Sequence, residues 1–156
     1  YGNLCQRVFS FIKKNCNNRI PINKNINAED KKLLDNLQNN IPNLVELMNK
    51  QNLNEYIKSV VNYSFDANKY FNDLEPWAVK KKDPERMKTI LYTISQQIKN
   101  ISILLNPIIP NSTKKILSTM NITDEQIKIK NILDFNLFDH DKELKNSEIL
   151  FAKIEK

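Results

Sequence analysis

The chain contains a single glycine, Gly2, in 156 residues. Doubly wound sheets, glycine-rich phosphate loops and tight two-residue hairpins all depend on positive φ or close backbone approach, which glycine supplies. Their near-total lack of raw material argues against these architectures. There is one histidine, His140, and no cysteine cluster, so no donor set for a metal site is visible. Cys5 and Cys16 lie 11 residues apart. On one helix they would face roughly the same way but stand about 16 Å apart along the axis, too far to bridge. Both therefore read as reduced, buried or half-buried thiols of a reducing compartment. No apolar run approaches the roughly 18 residues of a membrane-spanning helix, so no membrane partner is expected. No secretory leader opens the chain. It does not begin with methionine, and its first residues already show helical spacing, so it reads as part of a longer protein.

What is abundant is isoleucine, leucine, asparagine and lysine, a mixture that suits helices. The length is that of one domain. A net charge of +6 and a pI near 9.2 permit a polyanionic partner without demanding one.

Helical periodicity carries most of the pattern. Asn3 to about Asn17 places Leu4, Val8, Phe11 and Ile12 on one stripe, and the Asn17–Pro21 stretch ends it. Asn27 is an N-cap for a second helix bearing Leu33, Leu34, Leu37, Ile41, Leu44, Val45 and Met48. Pro42 falls inside that pattern and predicts a kink or break near Asn39-Asn40. A third helix runs from about Leu53 to Phe71. Asp83-Pro84 then caps the cleanest stripe in the chain: Met87, Ile90, Leu91, Ile94, Ile98, Ile101, Leu104 and Leu105. A short fifth helix spans Ser112 to Thr119, and Thr123 to Gln126 fits a capping box. Asn131 to Asp141 reads as loop, and Ile149 to Ile154 as an apolar terminal segment docked on another surface. The expected fold is all-α. Residues 1–120 form a bundle of four long helices plus a short fifth, and residues 121–156 an irregular C-terminal tail with a short helix and an extended apolar end.

No catalytic constellation is present. Asp73 and Glu75 lack a supporting histidine, arginine or metal ligand, and His140 has neither a nucleophile nor a metal cluster near it in sequence. Binding residues are better represented. Asn3 and Arg7 are one helical turn apart, with Lys14 on the same side of the first helix, beside its apolar stripe. An asparagine amide and an arginine fork can together read a base edge and hold its phosphate. They can equally be a helix-end pair with no partner. The only tryptophan, Trp77, follows Pro76 just beyond the third helix, and Lys80, Lys81, Lys82, Arg86 and Lys88 follow it. An aromatic backed by lysines can stack a base while neutralising phosphates, or it can plug a helix junction. The residues alone leave both readings open.

Several segments nevertheless carry a specific likeness. The opening Gly2-Asn-Leu-Cys-Gln-Arg-Val-Phe-Ser-Phe-Ile12, Asn68-Lys-Tyr-Phe71 with Pro76-Trp77, Asn106-Pro-Ile-Ile-Pro-Asn-Ser112 and Leu150-Phe-Ala-Lys-Ile-Glu155 occur in one order and spacing over essentially the whole chain. Together they resemble the anticodon-binding helical domain of bacterial methionyl-tRNA synthetases. The resemblance implies a domain that follows a catalytic Rossmann domain and reads the CAU anticodon loop of tRNA(Met) in the cytoplasm. It implies that Trp77 stacks on an anticodon base and that Asn3 and Arg7 lie at the same reading site. Pro76 would stiffen the turn that presents the tryptophan. Lys14, Lys80, Lys81, Lys82 and Arg86 would be supporting basic residues. ATP and Mg2+ are implied for the parent enzyme and no cofactor for this chain, which lacks the family's His-Ile-Gly-His-type and Lys-Met-Ser-Lys-Ser-type motifs. The family's usual Leu-Phe-Pro-Arg-Ile tail carries Ala152 and Lys153 here. The dimerisation module appended in some members is missing, which fits a monomer. Related helical domains in class I synthetases for leucine, isoleucine, valine and cysteine are the neighbouring alternative. A helical protein-interaction module is the more distant one.

Overall fold

The computed structural model describes residues 1–22 and 25–145. The apolar terminal segment expected at Ile149 to Ile154 lies outside them. Among the described residues seven α-helices follow in order: α1 (Gly2–Asn15), α2 (Ala28–Asn39), α3 (Ile41–Asn49), α4 (Leu53–Asp73), α5 (Pro76–Val79), α6 (Pro84–Leu105) and α7 (Pro110–Thr119). Two 3-10 turns, Asp124–Gln126 and Ile129–Leu133, end the described chain's regular structure. There is no strand among the described residues. The all-α bundle expected from periodicity is what forms. The second expected helix is split into α2 and α3, with the break at Asn40 and Pro42 in the first turn of α3. Proline has no N–H to lose there.

Local chemistry sets the helix ends. Asn27 Oδ1 accepts from the backbone N–H groups of Glu29 and Asp30 at 3.0 and 3.1 Å, and Asp30 Oδ2 accepts from Asn27 N at 3.0 Å. This reciprocal box satisfies otherwise orphaned donors. Asp83 Oδ1 accepts from Arg86 N at 2.9 Å, ahead of Pro84 at the start of α6.

α6 is the axis of the bundle. It packs against α1, α2, α4, α5, α7 and the second 3-10 turn, and every residue from Thr89 to Leu105 is buried. Its apolar stripe meets Leu4, Val8 and Ile12 of α1, and Val60, Ala67 and Phe71 of α4, in one continuous core. Its polar side is covered as well, by the segment after α7. Tyr92 Oη and Gln96 Nε2 donate to Phe135 O at 3.0 and 3.1 Å. Lys99 Nζ donates to Asn131 O at 3.1 Å and Asp134 O at 2.6 Å. Asn100 Nδ2, with its amide turned to suit its neighbours, donates to Ile132 O at 3.1 Å. These side chains satisfy carbonyls that a loop crossing a helix would otherwise bury unpaired. Residues expected to be plain loop are thus partly a 3-10 turn strapped to α6. Backbone bonds from Leu144 N to Asn18 O (2.7 Å) and Lys145 N to Thr119 O (3.0 Å) hold the segment's far end.

A buried ionic knot joins three helices. Asp30 of α2, fully buried, accepts from Arg86 Nη1 of α6 at 2.6 Å and from Tyr70 Oη of α4. Burial, followed by the Asp30 carboxylate, pushes the Tyr70 phenol well above its ordinary range, so it remains a donor.

Candidate nucleic-acid interface

α1 buries Leu4, Cys5, Val8, Phe9 and Ile12, which leaves Arg7 and Phe11 along the flank facing α4. The last turns of α4 supply Asn68, Phe71 and Asn72. Beyond Leu74 the chain reverses through Glu75, whose φ of 41° and ψ of 60° put a non-glycine residue in the left-handed region. Such a conformation costs about 1–2 kcal/mol and needs support from its surroundings. The support is Pro76, buried, which opens α5 with its φ already helical. Ala78 N and Val79 N bond back to Glu75 O at 2.8 and 3.0 Å. This single turn of helix, invisible to periodicity, presents Trp77.

Three aromatic rings then form a ladder across α1, α4 and α5. Phe11 and Phe71 meet edge to face with centroids 6.3 Å apart, and Phe71 and Trp77 do so at 5.7 Å. Phe71 is buried, while Trp77 keeps 38% of its surface in solvent. The tryptophan is therefore part packed and part exposed.

Two cations lie on this ladder. The Arg7 guanidinium sits 5.4 Å from the Phe71 centroid and donates to Asn72 Oδ1 at 2.8 Å and Asn68 Oδ1 at 3.5 Å. Lys80 Nζ sits 5.7 Å from the Phe11 centroid and donates to Asn15 Oδ1 at 3.0 Å. A cation over a ring face is attracted by the ring quadrupole, by about 0.5–1 kcal/mol at exposed sites.

The structure thus brings Arg7 of α1 together with Pro76 and Trp77 of α5 and with Lys80 at its end, across the last turns of α4. Asn3 is exposed one turn before Arg7, but Arg7 reaches across to α4 for its partners. Lys14 is exposed in the last turn of α1, and Lys81 and Lys82 are exposed in the turn before α6. Arg86 is placed differently: its guanidinium belongs to the buried knot, 2.6 Å from Asp30 and 3.7 Å from Glu29. Asn15 and Asn72 are neighbours that sequence reasoning did not name, and Phe11, Asn68 and Phe71 are ones it named without assigning them to the site. The available signal was the i, i+4 spacing of Asn68 with Asn72 and of Phe11 with Asn15.

Other candidates for chemistry are quiet. Burial pushes the Cys5 thiol up to about 12 and raises Cys16 as well, so neither is an activated nucleophile. Among the described residues no group of three or more His, Cys, Asp or Glu side chains could hold a metal ion. No helix among them is long and apolar enough to cross a membrane.

The bundle superposes on the free-state crystal structure of Mycobacterium tuberculosis methionyl-tRNA synthetase with a TM-score of 0.90, covering 99% of this chain and 32% of that one. At 23% identity the likeness speaks for the fold alone, that of a helical domain carried by a tRNA synthetase. Sequence goes further. The family described as the anticodon binding domain of methionyl tRNA ligase matches residues 20–156. The methionine–tRNA ligase of Rhizobium meliloti (strain 1021) is 34% identical over 125 residues, 80% of this chain and 24% of that protein. That of Rickettsia prowazekii (strain Madrid E) is 29% identical over 155 residues, 97% of this chain and 30% of that protein. The chain belongs to the family of anticodon-binding domains of methionyl tRNA ligase. It spans about a quarter to a third of the length of these curated relatives.

Proposed function

We propose that this domain reads the CAU anticodon loop of tRNA(Met) on the ladder face, within a cytoplasmic, monomeric methionine–tRNA ligase. The observation that carries the reading is the half-exposed Trp77 ring, braced edge-on by Phe71 and flanked by the Arg7 and Lys80 cations. Proteins read single-stranded RNA loops by stacking splayed bases on aromatic rings and hydrogen-bonding their edges. Trp77 supplies the stacking surface. Arg7 supplies a planar fork for a base edge or phosphate, and exposed Asn3 beside it a paired donor and acceptor. Lys14, Lys80, Lys81 and Lys82 supply sequence-blind attraction to the backbone.

The domain contributes discrimination and no chemistry. Methionine activation with ATP and Mg2+, and transfer to the 3′ end of the tRNA, belong to the catalytic part of the parent enzyme.

The test is Trp77→Ala in the full-length enzyme, read as affinity for CAU and non-CAU stem-loops and as methionine aminoacylation. Loss of one stacked base should cost roughly 1–3 kcal/mol of affinity, with the larger loss on the CAU loop. A folded variant that binds CAU loops as tightly as wild type would sink the stacking role. A wild type indifferent to the anticodon would sink the reading.

A further inference from the structure

The two cations of the ladder are held by the same device. Arg7 is bound by Asn68 Oδ1 and Asn72 Oδ1, and Lys80 by Asn15 Oδ1. In two of these asparagines the amide nitrogen donates to the carbonyl one turn earlier in its own helix: Asn68 to Ser64 O at 3.0 Å, Asn15 to Phe11 O at 2.8 Å. That bond fixes the amide and turns its oxygen toward the cation. Each cation also lies over an aromatic ring, and the two rings are 6.3 Å apart. Neither arrangement includes a carboxylate among the described residues. The carboxylate next to Asn72 in sequence, Asp73, is paired with Lys69 at 3.1 Å.

Elsewhere the described cations commonly sit beside carboxylates: Lys88 with Glu85 at 2.7 Å, Lys114 with Asp124 at 2.8 Å, Lys50 with Glu46 at 2.6 Å. The difference has a physical consequence. A carboxylate acceptor orients a cation but cancels its charge. A neutral amide oxygen orients it and leaves the full positive charge for an incoming anion. Fixing the side chain in advance also lowers the ordering cost on binding.

We propose that Arg7 and Lys80 form a two-point clamp for the phosphates of a single RNA strand, and that Asn15, Asn68 and Asn72 are its positioning residues, required as neutral acceptors. The inference rests on the reading of this face as an RNA surface. The two cations lie over adjacent rings whose centroids are 6.3 Å apart, and the Trp77 ring packs against one of them.

The test replaces neutral acceptors by charged ones of equal size. Asn72→Asp and Asn15→Asp, made singly in the full-length enzyme, keep a hydrogen-bonding oxygen while neutralising Arg7 or Lys80. Each should lower the slope of log affinity against log salt by about 0.7, the contribution of one single-strand phosphate. At 0.1 M salt that corresponds to about a fivefold loss of affinity for an RNA stem-loop. The loss should be equal for CAU and non-CAU loops, because phosphates carry no sequence. Asn72→Ala, which frees Arg7 but leaves its charge, should weaken binding without changing the slope.

Each Asn→Asp change creates an ion pair, with Arg7 from position 72 or with Lys80 from position 15. Asn72→Asp should therefore hold or raise the melting temperature, whereas Asn15→Asp loses its bond to Phe11 O at the C-terminal end of α1, so both affinities are compared well below each variant's own transition. Unchanged slope and affinity in both variants would overturn the clamp, as would a loss confined to CAU loops. If wild type showed no anticodon preference while the slope still fell by the expected amount, the anticodon reading would fail and the clamp would stand.

Discussion

Replacing Arg86 with alanine separates a structural arginine from an RNA-binding one. The guanidinium lies 2.6 Å from a fully buried carboxylate and is itself only 20% exposed. Its removal strands the buried Asp30 carboxyl, which keeps Tyr70 Oη and the Asn27 backbone N–H as partners among the described residues. Stranding one partner of a buried pair costs roughly 3–5 kcal/mol. The residual exposure of Arg86 puts the expected loss at the lower end, about 3 kcal/mol. Against a total stability of roughly 5–15 kcal/mol this is a large fraction. For a domain of this size it should lower the melting temperature by about 6–12 °C, measured by circular dichroism. Asp30→Asn added to Arg86→Ala should recover part of the loss, because a stranded amide costs less than a stranded carboxylate. Below its transition, Arg86→Ala should bind RNA with an unaltered salt slope. A melting temperature within a degree of wild type would refute the buried-pair argument. A folded variant whose slope dropped by about 0.7 would return Arg86 to the RNA surface.

Two further substitutions probe the strap and the turn. Burial holds the Lys99 ammonium down, at about 8, whereas in the unfolded chain it keeps its proton to about 10.4. Between those values the unfolded state binds more protons, so this residue makes stability rise with pH across that window. The wild-type-minus-Lys99→Met difference in unfolding free energy should therefore climb by roughly 3 kcal/mol from about pH 8 to 10.5, at about 1.4 kcal/mol per unit. A flat or falling difference in urea titrations at several pH values would contradict this. Glu75→Gly removes the left-handed strain at φ 41° and should stabilise the fold by up to about 1 kcal/mol. A lower melting temperature would show that the glutamate side chain secures the turn.

The parts legible in the sequence were those decided locally. The stripe from Met87 to Leu105, the Asn27 and Asp83 caps and the break at Pro42 all follow from spacing or from one residue's chemistry. Periodicity also found one side of α6 but said nothing of Gln96, Lys99 and Asn100. Their cover is made of backbone carbonyls from residues 131–135, which carry no side-chain signature. α5 is four residues long, shorter than any period can register. Arg86 sits among the lysines in sequence, yet its partner Asp30 is 56 positions away. The placement of Arg7 depends on Asn68 and Asn72, 61 and 65 positions away. The two basic stretches were readable, but the aromatic ladder that joins them exists only once α1, α4 and α5 lean on the same central helix.

The enclosure of α6 from Thr89 to Leu105 also governs where this domain has freedom to change. A substitution there disturbs several neighbouring helices at once, so that helix is a poor place for variation. The outer faces of α1, α4 and α5 touch the axis on one side only and can exchange their outward residues with little penalty. Whatever that rim presents can therefore be retuned while the support beneath it stays constant.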